Sequence, residues 1–135
     1  MIENKLESLR RCIHRIETKR PEDVETLVAD YDVQDVIALN LIRAVQICVD
    51  IAMHITSRHE VPPPDTMADA FLALHQIGVL DESLAQRMGK AVGFRNIAVH
   101  AYRAIDWRIV FSIVHNDLSD FTAFARAVRT HEGLA

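Results

Sequence analysis

DVQDVIALNLIRAVQICVDIAMHITSR, residues 32–58, is the stretch from which the architecture can be read. Its apolar residues recur with a helical period and cover most of the circumference: Val36, Ile37, Leu41, Ala44, Ile47, Cys48, Ile51 and Ile55. Asn40, Arg43, Gln46, Asp50 and His54 return every three or four positions as one narrow polar stripe. A helix this apolar is central, or it faces a core on one side and a partner subunit on the other. Upstream, Leu6, Leu9, Cys12, Ile13 and Ile16 mark a first helix behind Asn4, a candidate cap, and Pro21 with the acidic stretch after it breaks that helix. Downstream, Pro62-Pro63-Pro64 is a hard stop, and Asp65 is placed to cap a short helix from Thr66 to about Gln76, which Gly78 ends. Asp81 caps the next helix, with Glu82 where a negative charge suits the dipole. Asp106 caps a last one, with a stripe of Ile109, Val110, Ile113, Val114, Phe121, Phe124, Ala125 and Val128. No strand alternation or repeat interrupts this pattern. The expectation is an all-α, antiparallel up-and-down bundle of four to five helices.

The chain has 135 residues and a mass of 15.3 kDa, the size of one domain spanning residues 1–135. Half the residues are apolar and a quarter charged, which excludes disorder and low complexity. Cys12 and Cys48 lie far apart with no CxxC pair, so neither a zinc knuckle nor a disulfide scaffold is indicated. The N-terminus has no apolar signal core, and no stretch offers the roughly 18 uncharged apolar residues of a membrane span. A soluble cytoplasmic protein is expected, without a cofactor or a metal. The net charge of −4 argues against a broad nonspecific nucleic-acid binder, yet the charge is uneven. Residues 21–42 carry Glu22, Asp23, Glu25, Asp30, Asp32 and Asp35 and no base. Residues 85–105 carry Arg87, Lys90, Arg95 and Arg103 and no acid. Such a basic strip either attracts a phosphate chain or is simply a solvated helix face.

The chemistry lies in GKAVGFRNIAVHAY, residues 89–102. One helical stripe carries Leu84, Met88, Ala91, Val92, Arg95, Val99 and Tyr102, so Arg95 stands among core-type residues. There it needs a partner or a wet cleft. The other stripe carries Gly89, Gly93, Asn96 and His100. Two glycines inside a helix each cost roughly 1 kcal/mol against alanine, so close approach of another backbone is expected to exploit them. Asn96 and His100 are four apart, and the amide can orient the imidazole. Arg95 and His100 are five apart, about 140° around a continuous helix. Both serve one site only if the helix ends near Val99 or a second copy of the chain completes the site. Arginine, histidine and asparagine without a metal cluster suit RNA cleavage through the RNA's own 2′-hydroxyl. That reaction needs a proton-transfer group near neutrality and a cation on the phosphorus oxygens. Blander readings stand beside this one. Arg95 can pair with Asp50 inside the bundle, His100 can satisfy helix-end carbonyls, and Tyr102 can be a half-buried packing residue.

Residues 95–102, Arg-Asn-Ile-Ala-Val-His-Ala-Tyr, resemble the Arg-x4-His-x-Tyr signature of HepT-type toxins of the HEPN superfamily. The segments Leu39–Ala44 and Ile47–Ile55 resemble that family's second helix, and Pro62 to Gly78 and Met88 to Arg95 fit its layout. The resemblance covers nearly the whole chain. It implies a HEPN-like bundle whose homodimer brings two motifs into one cleft. It further implies metal-independent endoribonuclease activity, with Arg95 and His100 catalytic and Asn96 assisting. It also implies a cognate minimal nucleotidyltransferase antitoxin that neutralises the toxin by transferring AMP to Tyr102. The alternative is a non-catalytic helical subunit that binds substrate or partner for a nucleotidyltransferase. Intact Arg95, His100 and Tyr102 favour the toxin, since a scaffold has no need of them. A purely structural helical dimer explains the apolar central helix but not Arg95.

Overall fold

A computed structural model describes residues 1–134. Among the described residues seven α-helices follow one another: α1 (Ile2–Lys19), α2 (Val24–Ala29), α3 (Tyr31–Ser57), α4 (Met67–Gln76), α5 (Glu82–His100), α6 (Trp107–Asn116) and α7 (Leu118–Glu132). A 3-10 turn, Tyr102–Ala104, joins α5 to α6. The all-helical class expected from the period is what forms, with more helices than the four to five expected.

The differences have local causes. The acidic stretch after Pro21 does not merely break a helix. Asp23 accepts a hydrogen bond from the Thr26 amide at 2.8 Å and caps α2, which is held by fully buried Leu27. Six residues are too few to show a period. The last stripe is also two helices, because Val110, Val114, Leu118, Phe121, Phe124 and Val128 keep one apolar rhythm across the break at Asp117. No proline or glycine announces that break. Helix α1 starts at Ile2 rather than behind Asn4, which brings Ile2 into the core. Helix α4 is capped by Thr66, which accepts from the Asp69 amide at 3.1 Å, and not by Asp65. The expected caps Asp81 and Asp106 are in place, accepting from the amides of Leu84 and Arg108.

Helix α3 is the hub, packed against α1, α4, α5 and α7. By length and hydropathy it could pass for a membrane span, but its apolar surface is committed to this core. Both α1 and α5 run antiparallel to it. Lys5 near the start of α1 meets Asp50, while Tyr102 beyond the end of α5 meets Asp35. Phe71 and Phe124, both fully buried, meet edge to face with centroids 5.8 Å apart and tie α4 to α7. Arg58 donates to both carboxylate oxygens of Glu132 and fastens the end of α3 to the end of α7.

Two substitutions gauge this scaffold. Phe71→Ala should cost about 3–5 kcal/mol of unfolding free energy, because removing a fully buried ring leaves a cavity in the core. Asp81→Ala should cost about 1 kcal/mol by leaving the first amides of α5 unpaired. Urea denaturation followed by circular dichroism measures both.

Candidate active site

The site forms where α5 crosses the middle of α3. Through Val92 the inner side of α5 is core: Leu84, Met88 and Val92 are buried, with Ala91 half-covered. At Arg95 the stripe leaves the interior, and Val99 and Tyr102, expected on the same line, are 46% and 39% exposed. Arg95 itself is half-buried. Its Nη2 donates to Gln46 Oε1 at 3.3 Å and its Nη1 to Asn96 Oδ1 at 3.1 Å, while Nε is buried with no partner among the described residues. No carboxylate among the described residues pairs with this guanidinium. The pairing with Asp50 considered from the sequence is therefore absent. Asp50 instead accepts from Gln46 Nε2 at 2.9 Å and lies 3.5 Å from Lys5 Nζ. Gln46 stands between the two charges with its amide satisfied on both sides.

His100 is the last residue of α5 and is exposed. The helix stays continuous from Arg95 through His100, so the two side chains leave it on different faces and do not converge within one chain. Asn96 does not orient His100, because its carbonyl oxygen faces Arg95 instead. The glycine stripe divides in the same way. A Cβ at Gly89 would make ordinary contact with Ala68 on α4, while one at Gly93 would meet open space. Nothing among the described residues requires Gly93 to be small.

Tyr102 opens the 3-10 turn. Its ring stacks edge-on against Trp107 at 5.9 Å, and its hydroxyl donates to Asp35 Oδ1 at 2.5 Å. Burial, then the hydrogen bond and negative charge of Asp35, push the phenol well above its ordinary pKa. Asp35 and Gln46 are the participants that the sequence reading did not assign. A signal was available. They are eleven residues apart on α3, which returns to within about 20° of the same line after three turns. Arg95 and Tyr102, seven apart, reach those two positions in reverse order. Among the described residues no group of three or more His, Cys, Asp or Glu is arranged to hold a metal ion.

This arrangement of a motif-bearing helix against a central apolar helix defines a class. Residues 6–128 match the family model described as Ribonuclease HepT-like, and the chain belongs to that family. It is 35% identical over 129 residues to the mRNA nuclease HepT of Shewanella oneidensis, covering 96% of each chain. The tri-AMPylated HEPN toxin of Shewanella oneidensis, solved in complex with its MNT antitoxin, superposes with a TM-score of 0.89. Identity is 35%, with 96% of each chain covered. A toxin–antitoxin complex with AMP-PNP superposes at 0.90, with 34% identity over 96% of this chain and 97% of that one.

The Asp35 contact is open to direct measurement. Asp35→Asn removes the charge that disfavours phenolate, so the Tyr102 pKa should fall toward the ordinary tyrosine value. Ultraviolet titration, with Tyr102→Phe subtracted to isolate this phenol, reads the change. An unchanged titration would mean that burial alone sets it.

Proposed function

We propose that this protein is the toxin of a toxin–antitoxin pair: a single-domain, cytoplasmic endoribonuclease that needs no metal. The observation that carries the reading is Arg95, whose guanidinium is held by two neutral amides and neutralised by no carboxylate. Such a cation retains its full charge for a phosphate. Family membership and the nuclease relative support the same conclusion.

The active form is a homodimer in which two motifs share one cleft. The continuous α5 keeps Arg95 and His100 on separate faces, so a second copy must complete the constellation. Leu39, Ile97 and Val99, each 46% exposed beside the site, offer an apolar rim for that copy, and Gly93 leaves room for it. In the cleft, one imidazole takes the proton of the RNA 2′-hydroxyl as its oxygen bonds to phosphorus. The 5′-oxygen leaves with a proton from His100 of the partner subunit. Arg95 stabilises the charge on the phosphorane oxygens, and Asn96 holds Arg95 in position.

Control falls on Tyr102. An MNT-type nucleotidyltransferase partner transfers AMP from ATP to its hydroxyl. Phenol oxygen bonds to the α-phosphorus, pyrophosphate leaves, and Asp35 is placed to receive the phenolic proton. The added nucleotide then lies beside the motif helix and excludes RNA.

Three outcomes test this reading. Arg95→Ala and His100→Ala should each abolish cleavage and toxicity in EDTA while the melting curve is kept. A folded variant cutting at the parental rate would refute the assignment. Sedimentation at micromolar concentration should give about 30 kDa, twice the 15.3 kDa chain. Co-expression with the neighbouring nucleotidyltransferase should add AMP to Tyr102, more slowly in Asp35→Asn and not at all in Tyr102→Phe. Intact-mass and peptide mass spectrometry check this, and an unmodified Tyr102 in a neutralised toxin would leave steric blocking as the mechanism.

A further inference from the structure

The margin of α3 that faces α1 carries a second polar feature. Between α1 and α3 lies an open groove of about 420 Å³, lined by Arg11, Arg15, Arg43, Asn40 and Gln46 among others. Three guanidinium groups from two helices therefore converge on a protein whose net charge is −4. Arg11 has Glu7 at 3.6 Å, whereas Arg15 and Arg43 form no ion pair among the described residues. The two unpaired arginines both act on the Cys12 thiol, pulling against the upward push of its burial, so their charges fall within one small region.

The groove also holds an unsatisfied acceptor. Asn40 is only 2% exposed, and its Nδ2 donates to the Val36 carbonyl at 2.8 Å. Its Oδ1 has no hydrogen-bond partner among the described residues. A buried acceptor without a donor is costly, and a ligand that brings a hydroxyl relieves it. The groove is also continuous with the candidate active site. Gln46 belongs to its lining and is the residue on which Arg95 Nη2 rests, one turn of α3 from Arg43.

We propose that Arg11, Arg15, Arg43 and Asn40 form a second ribonucleotide subsite, which holds the substrate strand beyond the bond being cut. The arginines take backbone phosphates, and Asn40 accepts a hydrogen bond from a ribose 2′-hydroxyl. Phosphate charge supplies affinity and the sugar contact distinguishes RNA from DNA. This extends the ribonuclease reading and rests on it.

The test uses the intact protein and two readouts. The first is fluorescence anisotropy with a labelled 20-nucleotide oligouridylate, in a His100→Ala background that prevents turnover. Combining Arg11→Ala, Arg15→Ala and Arg43→Ala should weaken binding roughly tenfold or more and lower the slope of log affinity against log salt by about 2. Asn40→Ala should instead narrow the preference for RNA over the matching deoxyoligonucleotide. Unchanged affinity and slope in the triple variant would overturn the subsite, and an unchanged preference would overturn the sugar contact. The second readout is cleavage with His100 restored. The triple variant should raise KM while kcat at saturating RNA stays within about twofold. A parental protein that cuts no RNA would defeat the ribonuclease reading, and the anisotropy arm would still decide the groove. Circular dichroism melts confirm that each variant is folded.

Discussion

Helix α3 must be covered almost all the way round, and that requirement organises the molecule. Its buried residues run from Gln34 to Thr56 and include Ile37, Leu41, Val45, Cys48, Ile51 and Ile55. At roughly 25 cal/mol per Å² of apolar surface, leaving such a helix half uncovered is not viable for one domain. Its antiparallel neighbours α1 and α5 cover much of it, while α4 and α7 pack elsewhere on its surface. The polar contacts of α3 then gather along the margins that α1 and α5 leave open. Lys5 meets Asp50, Arg95 meets Gln46, and Tyr102 meets Asp35. The candidate site is thus a seam of the core, fixed by the packing that stabilises the fold.

Arg95 differs from the ion-paired arginines in the company it keeps. Arg58 and Arg87 each find a carboxylate, Glu132 and Asp120, at 2.7 and 2.9 Å, and both pairs tie helices together. Arg95 crosses to a neighbouring helix in the same way but meets amide oxygens. An amide fixes the guanidinium plane without offsetting its charge, so geometry is secured and the field is left for a ligand. Asp50 lies just beyond Gln46 and is already engaged by Lys5, which keeps it from competing for Arg95.

The sequence displayed the scaffold well because scaffold residues repeat. The apolar rhythm of α3, the caps Asp81 and Asp106 and the proline stop were all visible. Features without a period or a breaker were not. Helix α2 has only Leu27 as a buried residue behind its Asp23 cap, too little to show a period, and the turn at Asp117 lies inside an unbroken apolar rhythm. At the site, the motif residues Arg95, Asn96, His100 and Tyr102 stood out through their spacing and their resemblance to a family. Their partners did not, because Gln46 and Asp35 become neighbours only once α5 lies antiparallel on α3. Asn96 shows the limit of one-dimensional reasoning. Its spacing from His100 allowed one hydrogen bond, while the adjacent Arg95 side chain drew its carbonyl into another.

Under the proposed modification of Tyr102, its short bond to Asp35 would work differently before and after the phenol is esterified. Beforehand, the carboxylate accepts the only proton the hydroxyl owns and pins the 3-10 turn to the start of α3. An esterified oxygen has no proton to give, so the pin is gone. Asp35 then faces a phosphodiester of its own sign, and like charges at that range repel. The same carboxylate that would present the tyrosine for the proposed modification would act afterwards as a pawl, driving the added nucleotide away from α3's acidic end. A single carboxylate would thereby give the proposed modification a direction.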